Sequence, residues 1–140
     1  MQVKFLEKNS DYAAVLEVLL QLRVSYDAHS LSEQIEKQRA DGYQLVYVKS
    51  TDGILAVAGF VVGEKLAWGK HIYIDDLVTN STFRSSGVGQ FLINWFKDYA
   101  QTNGCKQIHL DSGVQRFAAH KFYLREGFNI ASHHFSIVGS

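Results

Sequence analysis

Residues 75–96 read DDLVTNSTFRSSGVGQFLINWF, and the fold turns on how this stretch is read. It holds two adjacent acids, a short apolar run, an arginine, two glycines one residue apart, and then an apolar stripe. Val88, Phe91, Leu92, Trp95, Phe96 and Tyr99 recur at intervals of three and four, which predicts an amphipathic helix that Gly104 ends. Residues from about 70 to 79 read as a strand. Arg84, Gly87 and Gly89 therefore sit where a strand turns into a helix. The first N–H groups of a helix lack partners inside it and carry the positive end of its dipole. Two positions without Cβ let an anion approach them, Ser85 and Ser86 add hydroxyl donors, and Arg84 adds a positive charge. The loop is readable as a phosphate or pyrophosphate cradle. Taken by itself it is equally readable as a tight turn whose glycines serve the backbone.

Outward from this stretch the chain alternates between two periodicities. Residues 3–7 predict a short strand. Ser10 is a candidate cap for a helix carrying Tyr12, Val15, Leu16, Leu19 and Leu22. Ser30 or Ser32 is a candidate cap for a second helix, which Asp41-Gly42 stops. YQLVYVKS and ILAVAGFVVG, joined by the turn signal TDG, predict an antiparallel pair. After the glycine loop and its helix, KQIHLDS predicts a strand reached by a helical crossover, hence parallel to its predecessor. RFAAHKFYLREGF predicts a last helix ended by Gly127, and FNIASHHFSIVG one or two closing strands. The order is β, α, α, three β, α, β, α, β. That is an α/β fold, a mixed sheet with helices on both faces.

With 140 residues, the chain fits one domain. A formal net charge of zero gives no electrostatic reason to expect nucleic acid or an anionic membrane as partner. The lone Cys105 excludes an intramolecular disulfide and suits the reducing cytoplasm; it reads as a small core residue. The opening MQVKFLEKNS lacks the apolar core of a signal peptide, and no apolar run approaches the ~20 residues that span a bilayer. His133 and His134 are neighbours on a predicted strand and face opposite ways, so they make a poor metal pair, and no metal is expected.

Nucleotide motifs can be tested against the glycine loop. FRSSGVGQ lacks the G-K-[ST] ending of a P-loop. A dinucleotide fingerprint needs a small residue where Leu92 stands and an acid some ~20 residues on, a demand that Asp111 meets only loosely. Three strands with hairpin-type connections also precede the loop, which is wrong for a first βαβ unit. Instead, Arg84-x-x-Gly87-x-Gly89 resembles the Q/R-x-x-G-x-G/A signature of the GNAT superfamily of N-acetyltransferases. IDDLVT is similar to that family's central strand. Ala119, Tyr123, Gly127 and Phe128 are similar to its distal A-x-x-x-Y-x-x-x-G-F helix. The three motifs stand in the family's order, and the resemblance covers nearly the whole chain.

The resemblance implies a GNAT fold and an acetyl-CoA site. Backbone N–H groups of the loop Ser85, Ser86, Gly87, Val88, Gly89 and Gln90, with Arg84 beside them, would bind the pyrophosphate. The edge of the central strand at Leu77, Val78 and Thr79 would pair with the pantetheine arm, as a peptide adds to an open sheet edge. The resemblance is nearest to the polyamine-acetylating branch, in which the first acid of the pair is the base; that is Asp75. Adjacent strand residues point to opposite faces, so Asp75 and Asp76 are expected to part company, with Asp75 partly desolvated if Leu77 shares its face. Tyr123 matches the family tyrosine that protonates the CoA thiolate. Arg116 stands where many members carry Asn, and with Ala119 and His120 it is assigned to the cofactor groove; His120 is alternatively a proton relay or a structural residue. Tyr26 and Asp27, in the loop between the first two helices, suit a cationic amine, and Asp76 and Asp111 join them as candidate substrate residues. The implied activity is acetyl transfer from acetyl-CoA to a primary amine of a small molecule by direct attack in a ternary complex, with a homodimer suggested by the apolar C-terminal stretch. A non-catalytic acyl-CoA-binding module and the acetylation of protein amines are the rival readings.

Overall fold

In the computed structural model, which describes residues 1–83 and 87–139, the predicted order of elements holds up to the last helix. It runs β1 (Gln2–Phe5), α1 (Tyr12–Leu20), α2 (Ala28–Ala40), β2 (Gln44–Ser50), β3 (Gly53–Lys65), β4 (Gly69–Thr79), α3 (Val88–Thr102), β5 (Gln107–Leu110) and α4 (Phe117–Arg125). The predicted anion-loop residues Arg84, Ser85 and Ser86 lie outside the described residues. The chain divides into two compact units, Met1–His109 and Leu110–Ser140.

The sheet order is β1-β2-β3-β4-β5. The pairs β1/β2, β2/β3 and β3/β4 are antiparallel. At β5, the Lys106 N–H donates to the Lys70 carbonyl over 2.8 Å, so β4 and β5 begin side by side, as predicted for parallel neighbours. Strand alternation sorts the first unit's side chains into two layers. Leu45, Tyr47 and Val57 pack with Val15, Leu16, Leu19, Leu31 and Ile35 of α1 and α2. On the other face Phe60 meets Phe96 and Tyr99 of α3 edge-on, with ring centroids 5.1 and 5.6 Å apart. α3 has no side-chain cap and is rich in aromatic and branched residues. Burial of Leu92, Ile93 and Phe96, worth about 1.5–3 kcal/mol each, outweighs propensity deficits of up to about 0.7 kcal/mol per residue; all three are fully buried.

Three expectations need correction. The N-cap of α1 is Asp11 rather than Ser10, and it makes no side-chain cap bond. Its carboxylate instead accepts from the Tyr47 hydroxyl and from Lys49 Nζ, each at 2.8 Å. The N-cap of α2 is Asp27 rather than Ser30 or Ser32: Asp27 Oδ1 accepts the Ser30 N–H, and Ser30 Oγ accepts the Asp27 N–H, a reciprocal capping box. The predicted closing strands are not formed. Phe135 and Ile137 are 92% and 102% exposed, and no strand is assigned among the described residues after α4. Alternation is only half of what a strand needs; the other half is a ladder partner for its N–H and C=O groups.

Candidate active site

The site begins with an irregularity in β4. Phe60 pairs with Ile74, but the next residue back along β3, Gly59, pairs with Asp76. Asp75 is therefore the extra residue of a β-bulge, which bends the strand and interrupts its alternation. The expectation that Asp75 and Asp76 point to opposite faces is corrected by this: both line one cleft of ≈ 190 Å³, walled by Leu19, Arg23, Tyr26, Gln34, Gln38 and Tyr43 among others. The expected desolvation of Asp75 by Leu77 is also corrected. Asp75 is exposed, and Leu77, opposite Ala58, follows the Phe60 side of the sheet.

Asp76 is held by the protein itself. Its Oδ1 accepts from Arg23 Nε at 2.7 Å, and its Oδ2 accepts from the Tyr43 hydroxyl at 2.5 Å. A second arm of the same guanidinium, Nη2, donates to the Asp75 backbone carbonyl at 3.0 Å. Burial, and then the Asp76 charge, push the Tyr43 phenol far above its ordinary pKa, so it is a donor at every relevant pH. Tyr43 stands at the start of β2 and must cross β3 to reach β4. It does so over Gly59, where a Cβ would lie 1.7 Å from the Tyr43 hydroxyl oxygen. The sequence-predicted substrate residue Asp76 thus belongs to the frame of the cleft, and Asp27 is a helix cap.

Beyond the bulge, Leu77, Val78 and Thr79 pair with Ala58, Val57 and Ala56 along one edge of β4. Asn80 then pins the exit from the strand. Its N–H donates to Leu55 O, its Nδ2 to Ile54 O, and its Oδ1 accepts from Gln21 Nε2 and from the Thr82 N–H, all between 2.8 and 3.0 Å. Gly87 caps α3 with φ +85°, the left-handed region that glycine enters without strain. The first helical bond runs from the Phe91 N–H to the Gly87 carbonyl over 2.9 Å. The amides of Val88 and Gly89 fall ahead of that ladder, the position from which a helix start can bind an anion. Gln90 completes this first turn.

In the second unit Tyr123 is half-buried, and its ring packs edge-on against Phe122 and Phe128, with centroids 5.4 and 5.7 Å away. Burial raises its phenol pKa, and the Arg116 charge opposes that shift. Arg116 is the N-cap of α4 and is exposed; Ala119 and His120 are partly buried one turn on. His120 Nε2 lies 2.7 Å from the Gly113 carbonyl. A carbonyl only accepts, so the imidazole proton is on Nε2 and the ring ties down the loop before α4. Asp111 is exposed and 3.5 Å from His134 Nδ1. Sequence reasoning overlooked Arg23, Tyr43, Gly59 and Asn80, and also Ser112, whose hydroxyl is buried without a hydrogen-bond partner among the described residues, in the loop between β5 and α4.

The five-stranded sheet with its bulged acidic strand, and the left-handed glycine at the start of α3, belong to an α/β scaffold that comparison with known proteins identifies. Residues 12–128 match the acetyltransferase (GNAT) family, so the chain belongs to that family and is an acetyl-CoA-dependent N-acetyltransferase. It is 30% identical over 137 residues to YhdJ, an uncharacterized N-acetyltransferase of Bacillus subtilis (strain 168), with 96% of each chain covered. It is 28% identical over 122 residues to the glucosamine 6-phosphate N-acetyltransferase of Arabidopsis thaliana, covering 81% of this chain and 82% of that one. An aminoglycoside N-acetyltransferase solved in complex with CoA shares the fold, with a TM-score of 0.81 at 14% identity over 99% of this chain and 93% of that one.

Proposed function

We propose that the acceptor is the primary amine of a small molecule, bound in the cleft beside the β4 bulge and acetylated by direct attack in a ternary complex with acetyl-CoA. The observation that carries this reading is the bulge. It turns Asp75 into a cleft of ≈ 190 Å³ whose other polar walls are Tyr26, Gln34, Gln38 and the Arg23–Asp76 pair. Pockets for drug-sized ligands run to about 300–1,000 Å³, so this volume suits a small amine.

An alkyl ammonium, with pKa near ~10.4, must lose a proton before it can attack a thioester. Asp75 accepts that proton, directly or through a water, and the amine then attacks the acetyl carbonyl. As the carbon–sulfur bond breaks, Tyr123 donates its phenol proton to the CoA thiolate; burial keeps that phenol protonated at neutral pH. The family resemblance supports Leu77, Val78 and Thr79 as the edge that takes the pantetheine arm. It also supports residues 84–90 as the pyrophosphate loop, and Arg116, Ala119 and His120 as part of the cofactor groove. The whole chain acts as one acetyltransferase domain. The buried free Cys105 supports a cytoplasmic setting. The exposure of Phe135, Ile137 and Val138 in the single chain supports a homodimer that covers them; removal of residues 128–140 is expected to give a monomer by sedimentation.

The test is a panel of amines with acetyl-CoA, following thiol release: polyamines, aminoglycosides, aminoalkylphosphonates, glucosamine 6-phosphate and a lysine-bearing peptide. At least one small amine is expected to accelerate release above the rate with acetyl-CoA alone. Asp75→Asn and Tyr123→Phe are each expected to lower kcat by about 10²-fold or more, with acetyl-CoA still bound. Acetylation of the peptide alone, or wild-type turnover by both variants, would overturn the proposal.

A further inference from the structure

We infer that Arg23 is a positioning residue for acetyl transfer: its grip on two consecutive residues of the β4 bulge fixes the direction in which the Asp75 carboxylate enters the acceptor cleft. The inference rests on Asp75 being the proton acceptor proposed above, and Arg23 acts through it without touching the reacting atoms.

A bulge interrupts the regular ladder and bends the strand. In the β3/β4 register the ladder steps from Ile74 to Asp76, with Asp75 the extra residue between them. Arg23 grips this step of the strand with one rigid planar group. Nη2 donates to the Asp75 carbonyl at 3.0 Å, and Nε to Asp76 Oδ1 at 2.7 Å. Fixing the carbonyl of one residue and the side chain of the next fixes the peptide between them, and with it the Cα–Cβ direction of Asp75. A guanidinium presents its donors in a fixed planar fork, whereas an ammonium is a point charge on a flexible stem and does not set that geometry.

Both ends of the linkage are anchored. The Arg23 N–H donates to the Leu19 carbonyl at 3.0 Å, and its own carbonyl accepts from the Tyr26 N–H at 3.3 Å. These bonds fix the Arg23 backbone in the turn that follows α1, although the side chain is 44% exposed. On the far side Asp76 is fixed by Tyr43. The chain Arg23–Asp76–Tyr43 thus ties the end of α1 to the start of β2 through the bulge of β4. An exposed ion pair contributes little to stability, whereas a misplacement of about 1 Å at a reacting group can cost about 10²-fold in rate. The value of Arg23 is expected in turnover more than in folding.

The test compares wild type, Arg23→Gln and Arg23→Lys in two ways. The first is steady-state acetylation of the best amine of the panel, with kcat counted per acetyl-CoA-binding site. The second is hydrogen exchange of the amides at positions 75–77. Arg23→Gln is expected to lower kcat per site at least tenfold with the KM for acetyl-CoA within twofold, and to speed exchange at 75–77 at least tenfold while Ile72 keeps its protection. Arg23→Lys retains the charge and one contact, guards against a folding failure, and is expected to fall between the two. Wild-type kcat per site in Arg23→Gln, or unchanged exchange at the bulge, overturns the inference. If the wild-type protein turns over no amine, the acceptor reading has failed, and the exchange measurement alone decides whether Arg23 holds the bulge.

Discussion

Gly59→Ala is the sharpest perturbation the structure offers. The added Cβ would lie 1.7, 2.3 and 2.7 Å from Oη, Cζ and Cε1 of Tyr43, far inside van der Waals contact. Gly59 is not among the glycines with positive φ, so alanine meets no backbone strain there and the whole cost is steric. Tyr43 is 6% exposed and must swing out of its place. It then loses a hydrogen bond to a carboxylate, about 1.5–3 kcal/mol, and part of the burial of a large ring, about 1.5–3 kcal/mol when complete. The expected cost is about 3–5 kcal/mol, a large share of the roughly 5–15 kcal/mol that holds a domain together. Urea unfolding of wild type and Gly59→Ala measures it, with equal m-values as the check that both unfold in the same way. Tyr43→Leu lacks the three atoms that the new Cβ would meet. In that background Gly59→Ala is expected to be close to neutral, or stabilising by about 0.4–1 kcal/mol through the stiffer unfolded chain. A cost below about 1 kcal/mol in the wild type, or the same cost in both backgrounds, refutes the packing argument.

Gly87→Ala places a side chain in open space at φ +85°, so only the backbone objects. The expected loss is about 1–2 kcal/mol in thermal or urea unfolding, with a raised KM for acetyl-CoA; an unchanged KM would separate the α3 start from the cofactor. Alkaline stability follows from the tyrosines. Tyr47 is pushed up to about 12 and Tyr43 higher still. Below about pH 10 the folded and unfolded chains are both protonated at these sites. Above it only the unfolded chain ionises, so stability falls as pH rises, by at most about 1.4 kcal/mol per pH unit for each tyrosine. Tyr43→Phe is expected to remove its share of that slope in urea unfolding between pH 10 and 12, and an unaltered slope would contradict the buried, carboxylate-bonded phenol.

What the sequence discloses and what it conceals divides along sequence separation. The stripe from Val88 to Tyr99 and the hairpin around Asp52 are local patterns, and both are formed as read. Caps were legible only to within a few residues, because several Ser and Asp side chains in a row compete for each helix start. The bulge left a trace: Ile72 and Ile74 alternate, and the next apolar residue on their side is Leu77, a slip of one in the period of two. An isolated glycine inside a strand, as at Gly59, is likewise a sign of close backbone approach. The Arg23–Asp76 and Tyr43–Asp76 contacts span 53 and 33 residues and leave no local mark at all. The C-terminal alternation misled for the opposite reason, since a period of two records which side chains agree and not whether a neighbour exists to pair with.

The proposed mechanism gives two adjacent, chemically identical acids different work, and the structural difference between them comes from where the strand loses its register. Had β4 remained regular, alternation would have sent one carboxylate to each face of the sheet, and the α1–α2 side would have kept only one. The bulge brings both to that side. Arg23 and Tyr43 then occupy the two oxygens of Asp76, one each. Protonating a carboxylate so engaged would weaken the charge-assisted bonds from Arg23 and Tyr43. Asp75 is exposed, and its backbone carbonyl accepts from the same guanidinium. In the proposed reaction Asp76 is the frame and Asp75 the proton acceptor. Asp76→Asn should therefore disturb Arg23 and Tyr43 first, lowering the urea midpoint, and turnover through them, while Asp75→Asn should remove turnover with acetyl-CoA still bound.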